Sequence, residues 1–175
     1  MPSSAYDSSK WATLRNGRRV HIRSIRPSDA TALIVFHESL DDESKRLRFF
    51  TPHPHLTMDE VGRFTTVDHD DREALIALAL DKIVAVGRFD RTGEDGAEVA
   101  FVVAQQWQNL GLATELLTRL GARATELGIR HFEADTLGEN HSMLGVFSHW
   151  SPSKKLSFDH GVVHVDMPLE AAAPR

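Results

Sequence analysis

The stretch from Ala97 to Leu127, AEVAFVVAQQWQNLGLATELLTRLGARATEL, constrains the chain more than any other. Its first part reads as a strand: apolar residues run from Val99 to Ala104, with β-branched enrichment and the turn-forming Gly93-Glu94-Asp95-Gly96 ahead of them. Its second part reads as a helix, because Ala113, Leu116, Leu117, Leu120, Ala124 and Leu127 recur at the i, i+3, i+4, i+7 spacing of one apolar face and Gly128 follows as a stop. Between them lies Gln108-Asn109-Leu110-Gly111-Leu112-Ala113. A strand that enters a helix through a glycine turn leaves the first helical amides without intrahelical partners, pointing outward with the positive end of the dipole. Small residues at 111 and 113 let a diphosphate approach that backbone, and no P-loop lysine accompanies them to suggest nucleotide hydrolysis.

These residues resemble the GNAT acyltransferases, whose acyl-CoA signature is Gln/Arg-x-x-Gly-x-Gly/Ala at a helix start. Gln108, Gly111 and Ala113 match it, and Asn140, in LGENHSML one strand later, falls where that family usually has an asparagine. The phrases HIRSIRPSDA and DDESKRLRFF are similar to the opening of the actinobacterial protein-lysine acetyltransferases within the family. The resemblance covers about residues 14–168.

Taken in order, the chain reads as a polar lead over residues 1–10, expected to be disordered, one domain over 11–169, and a disordered tail over 170–175. Asn16-Gly17 signals a tight hairpin, followed by a first strand with Val20, Ile22 and Ile25 inward. Arg15, Arg18, Arg19, Arg23 and Arg26 read as a solvated strand edge. Ser28 is expected to cap a helix that buries Leu33, Phe36 and Leu40, and Asp41 a second one ending near Phe50. Thr57-Met58-Asp59-Glu60 is a capping box opening a helix through Phe64. His53 and His55 have no third ligand at matching spacing, so their loop reads as plain surface and no metal site is expected.

From Ala74 the period changes to that of strands. ALIALAL and IVAVGRF, joined at Asp81-Lys82, lead into the strand from Ala97 as an antiparallel meander. Ile129 to Leu137 follows a helix and therefore lies parallel to Val99–Ala104 by the right-handed crossover rule. A helix from His141 to Trp150 and a hairpin over the His160-Gly161 turn close the chain. The expected fold class is α/β, one domain with a mixed, mostly antiparallel sheet flanked by helices.

A chain of 175 residues is ordinary for one domain, and 41% hydrophobic with 26% charged residues is an ordinary globular composition. The net charge of −5 argues against a general nucleic-acid binder. The absence of cysteine excludes disulfides and a thiol nucleophile, and no apolar run approaches a membrane span. A cytoplasmic monomer or homodimer, without nucleic-acid or membrane partners, is the expectation.

The resemblance implies that the two parallel strands splay apart and that acetyl-CoA lies in the gap as co-substrate. Its pantetheine would pair with the backbone of Phe101, Val102 and Val103, and its diphosphate would rest on the amides of Gln108, Asn109, Leu110, Gly111, Leu112, Ala113 and Thr114. Asn140 would hold the coenzyme or the amine by its side-chain amide. Amine acylation needs a base, and Glu98 is the candidate: it is a carboxylate in an otherwise apolar strand, where glutamate is poorly disposed without a reason. The resemblance implies the same, since a glutamate on this strand is the assigned base in the lysine-acetylating relatives. Glu133 and Asp135 on the neighbouring strand are runners-up. Phe147 occupies the position where many GNAT enzymes place a proton-donating tyrosine, and the chain's one tyrosine, Tyr6, is in the polar lead. Either the thiolate leaves unprotonated, or Ser142, His141 or His149 substitutes.

The expected function is therefore transfer of an acetyl group to a primary amine, with a lean toward a protein lysine. Small amines, including aminoglycosides drawn by the acidic turn at 68–71, and a non-catalytic CoA-binding sensor are the alternatives. The acceptor is expected in a cleft between the helices of residues 28–50 and the final hairpin.

Overall fold

The computed structural model describes residues 9–170, so Tyr6, most of the expected lead and the tail after residue 170 lie outside the described residues. Eight strands form one sheet in the order β1-β2-β3-β4-β5-β6-β8-β7. These are β1 Lys10–Thr13, β2 Arg19–Ser24, β3 Arg72–Ala79, β4 Lys82–Arg91, β5 Gly96–Val103, β6 His131–Leu137, β7 Lys155–Asp159 and β8 Val162–Pro168. Every pairing is antiparallel except β5 with β6. The mixed α/β architecture read from the sequence is therefore the observed one. Lys10, assigned to the lead, already belongs to β1 and pairs with Ile22, because the Asn16-Gly17 hairpin needs a returning partner strand.

Five helices flank the sheet: α1 Ala30–Ser39, α2 Asp42–Phe49, α3 Met58–Thr65, α4 Leu112–Glu126 and α5 His141–Trp150. Local chemistry sets most of their ends. Asp41 accepts from the Ser44 amide at the start of α2, and Thr57 and Glu60 form the reciprocal capping box of α3. Gly111 (φ 87°) precedes α4 and Gly128 (φ 80°) follows it, both in the left-handed region that glycine enters without penalty. Two expectations need correction. Ser28 caps nothing; a 3-10 turn over Pro27–Asp29 leads into α1, and the Asp29 carboxylate instead takes the Arg26 amide and both guanidinium nitrogens of Arg23 at 2.8 Å. The turn between β3 and β4 falls on Leu80-Asp81 (φ 49° and 61°), one residue earlier than expected, which leaves Lys82 in register with Ala79.

Successive residues of a strand face opposite ways, and the register sorts them. One face of the sheet packs on α4. There Leu112, Leu116, Leu117 and Leu120 are each at most 1% exposed against Phe89, Phe101 and Phe132. Burying one leucine so fully contributes about 2–3 kcal/mol. A Cβ on Gly87 would stand 2.8 Å from the Phe101 ring and 3.3 Å from the Leu116 Cβ, so α4 sits as close to β4 as a glycine permits. The opposite face carries Val86, Arg88, Ala100 and Val102 beneath α1, α2 and α3.

Candidate active site

β5 and β6 pair only over Gly96–Glu98 with His131–Glu133. Beyond Glu98 they part, while β5 stays paired to β4 as far as Val103. A cavity of about 620 Å³ fills the gap, with α2 on one side and the starts of α4 and α5 at its ends. The expected final hairpin is not among its walls: β8 takes the place beside β6, and His164 reaches the site only through a close hydrogen bond to Asp135.

At the start of α4, Asn109 (φ 59°) and Gly111 both turn left-handed, and the first helical bond runs from the Glu115 amide to the Gly111 carbonyl at 3.0 Å. The amides of Leu112, Ala113 and Thr114 precede that bond and face outward, which is the geometry of an anion cradle. Of the arginines of the β1–β2 hairpin, expected as a solvated edge, Arg15, Arg18, Arg19 and Arg26 are exposed and Arg23 is not, and several make contacts within the fold. Arg23 is paired with Asp29, the Arg15 amide donates to the Leu110 carbonyl (3.2 Å), and Arg18 stacks 3.4 Å over Trp107 and donates to the Gln106 carbonyl. The Arg15 Nε stands 3.5 Å from where a Cβ on Gly111 would be, placing a guanidinium beside the cradle. Gln108 ties the loop inward, donating from its amide nitrogen to the Val103 carbonyl at 3.0 Å.

Glu98 lies in the wall of the cavity at the point where the strands separate, directly across from Asp90 and Glu133. Glu98 is exposed to the cavity, yet partial desolvation by its surroundings raises its carboxyl above the usual carboxylate range; Asp135 and Asp90 add repulsion, and the Arg48 guanidinium on α2 partly offsets both. The two runners-up are differently placed: Asp135 lines the cavity but is bonded to His164, and Glu133 points to solvent beside His131. Asn140 caps α5, its Oδ1 accepting from the Met143 amide at 3.1 Å, which leaves its amide nitrogen free to donate to a ligand. Ser142, His141 and His149 line the same cavity, and Phe147 is 2% exposed against Phe101. The Oγ1 of Thr136, also in the wall, is buried without a partner among the described residues.

The profile of the acetyltransferase (GNAT) domain matches residues 19–150. The chain belongs to the GNAT acetyltransferase family. Among solved structures, the GNAT domain of PAT from S. lividans is 38% identical, with a TM-score of 0.87 over 92% of this chain and 97% of that one. Acetyltransferase Pat of Mycolicibacterium smegmatis is 27% identical over 74% of this chain, which spans 40% of that protein's length. A GNAT superfamily phosphinothricin acetyltransferase from Sinorhizobium meliloti, solved with AcCoA, shares the fold at 17% identity, with a TM-score of 0.68 over 86% of this chain and 88% of that one.

Of the site residues expected from this GNAT sequence, Glu98, Phe101, Val102, Val103, Gln108, Asn109, Gly111, Leu112, Ala113, Thr114, Asn140 and Ser142 all line the one cavity. Leu110 does not; its carbonyl is held by Arg15. The acidic turn at 68–71, offered as an acceptor pocket, is also elsewhere: its His69 carbonyl accepts from Arg123 on α4, and Asp71 pairs with Arg91 at 2.9 Å. The sequence reading missed Arg15, Arg48, Phe49 and Trp107, which reach the cavity from segments distant in the chain. Arg48 carried a weak signal, an arginine next to phenylalanine at the end of a highly charged helix.

Proposed function

We propose that this GNAT domain transfers an acetyl group from acetyl-CoA to a primary amine, a protein lysine, with Glu98 as general base. The observation that carries the reading is the position of Glu98. A carboxyl held above its ordinary range stands where β5 and β6 part, in the same cavity as the anion cradle of α4. The residues suit the coenzyme: the amides of Leu112, Ala113 and Thr114, with Arg15 beside them, match its phosphates. Acetyl-CoA supplies the acetyl thioester. Glu98 accepts the proton that the amine nitrogen releases as it bonds to the acetyl carbon and the carbon–sulfur bond breaks. Ser142, His141 or His149 can return a proton to the sulfur, or it leaves as the thiolate, whose pKa is near ambient. Support for a lysine acceptor comes from the likeness to the Pat acetyltransferases and from the carboxylates Glu98 and Asp135 in the wall, which attract a cation.

Incubation with labelled acetyl-CoA tests this, first with a soluble proteome and then with a panel of small amines. Labelled lysine ε-amines are the expected result; label confined to small amines overturns the acceptor. Acetyl-CoA is also expected to raise the melting temperature of the wild type, and Gly111→Glu to abolish that shift by placing bulk and negative charge in the cradle. A folded wild type with an unchanged melting curve at millimolar acetyl-CoA removes the coenzyme from the reading.

A further inference from the structure

Beneath α1, α2 and α3, a second cavity of about 40 Å³ adjoins the first and shares Arg48, Phe49, Ala100 and Val102 with it. Its walls are apolar apart from Arg48, Arg88 and His37, and no acidic side chain lines it. Arg88, on β4 opposite Ala100, is 6% exposed; its guanidinium lies 4.4 Å over the Phe64 ring and donates once, to the Phe64 carbonyl at 2.8 Å. Arg48 lies 4.9 Å over the Phe49 ring. Among the described residues neither guanidinium has a carboxylate within ion-pair distance, since Asp90 is taken by Arg72 at 2.7 Å. His37 adds no negative charge: one ring nitrogen bonds the His53 carbonyl, and burial depresses its pKa. Burial brings the Arg88 pKa down to about 9, with the like charge of Arg48 adding to the effect. Arg88 is buried and Arg48 partly so, each makes the other's charge harder to hold, and Glu98 and Asp90 offset this only from a distance, so an anion entering between them lowers the cost further.

We propose that Arg48 and Arg88 form a carboxylate pocket opening onto the transfer site, and that one reactant, the acyl group or the amine acceptor, carries the carboxylate that enters it. The planar fork of a guanidinium matches a carboxylate, and the apolar walls suit the methylenes leading to it. A volume of about 40 Å³ takes roughly three water-sized groups, enough for a carboxylate and too little for a phosphate ester. Ala100 follows Glu98 by two residues on the same face of β5, roughly 7 Å along the strand, so a short chain from the reacting centre spans the distance. The inference rests on the acetyl-transfer reading only for the location of that centre.

Two panels test the pocket and assign the source. One compares acetyl-CoA with succinyl-CoA at a fixed amine; the other, at fixed acetyl-CoA, compares lysine peptides carrying Asp beside the lysine with the same peptides carrying Asn. The wild type is expected to favour the carboxylated partner at least tenfold in kcat/KM in one panel, which names that reactant as the carrier. Arg88→Met should remove the preference mainly through KM, while Arg88→Lys keeps part of it and the acetyl-CoA melting shift persists. Should Arg88→Met fail to fold, Arg48→Met carries the same expectation, with loss of preference as its readout. Equal kcat/KM for carboxylated and uncharged partners in both panels overturns the pocket, even where acetyl transfer proceeds. Absence of an acetyl-CoA shift in the wild type strikes instead at the function on which the pocket rests.

Discussion

The two faces of the central sheet are built from alternate residues of the same strands, yet they differ in kind. Toward α4 the strands present Phe89, Phe101 and Phe132 to four leucines, and the charges on this side, Glu73 bonded to His69 and Arg91 to Asp71, are each paired. Toward α1, α2 and α3 they present Arg88, Asp90 and Glu98, with Glu133 and Asp135 further along β6. A strand has no means of insulating one face from the other except the direction of its side chains, so register alone separates the layer that supplies stability from the layer that holds the chemistry. The difference also bears on where the cavities form: the smaller lies on the charged side and the larger in the gap between β5 and β6, whereas α4 packs on the other face as closely as a glycine permits.

Four substitutions break or sharpen this contrast, in falling order of effect. On the apolar face, Leu116→Ala should cost about 2–5 kcal/mol in denaturant unfolding, because its site is fully buried between α4 and a close-packed sheet; a loss below about 1 kcal/mol would show that this face is not the stabilising one. On the charged face, Glu98→Gln should slow transfer roughly a hundredfold, about 2.7 kcal/mol, while leaving the fold intact. Comparable rates in the two proteins would move the base to Asp135, Glu133 or solvent.

The same residue predicts opposite pH trends in rate and stability. Since the Glu98 pKa is raised in the folded state, the folded protein binds more protons than the unfolded one between the ordinary and the raised value. Stability should therefore fall as pH rises through that window, whereas kcat/KM rises on a limb displaced above the usual carboxylate range. Glu98→Gln should lose the stability trend and the limb together, and a wild-type limb at the ordinary glutamate value counts against Glu98.

Asp29→Ala should cost about 2–3 kcal/mol, since it strips a half-buried Arg23 of its bidentate partner. Although burial works against ionisation, the Arg23 guanidinium and the Arg26 amide hold the Asp29 pKa below its usual value, so this stabilisation is present above the ordinary aspartate range and lost as pH falls through the lowered pKa. A flat acid profile of the difference between wild type and variant would refute it. Thr57→Ala, in neither cavity wall, should cost about 1 kcal/mol through the lost cap of α3, with transfer kinetics unchanged.

Much of the fold was legible because its signals are local. The i, i+3, i+4 stripe of α4, the glycines at 111 and 128, the Thr57–Glu60 box and the His160-Gly161 turn each depend on residues within a few positions of one another. The same holds for the cradle, which is one turn of backbone. Ser28 misled because a good capping residue stood beside Asp29, and the stronger acceptor found a distant arginine. The arginines of the first hairpin are mostly exposed, as expected, but their contacts were not legible: stacking on Trp107 and bonding to Leu110 join segments about ninety residues apart, and no spacing within the hairpin encodes that.

By itself, then, the amino-acid order determined which stretches become strands and helices, that β5 and β6 run parallel, and that α4 begins on a glycine turn with outward-facing amides, since all of these follow from periodicity, propensity and chain handedness. Only the tertiary structure decided which side chains share the cavity. The place of β8 beside β6 follows from strand pairing across the sheet, the meeting of Arg48 with Glu98 and Arg88 from the packing of α2 on one face, and the withdrawal of the 68–71 turn from its bonds to Arg123 on α4 and to Arg91. Charges interact through space and with the solvent that packing leaves or removes, and neither quantity exists until the chain has folded.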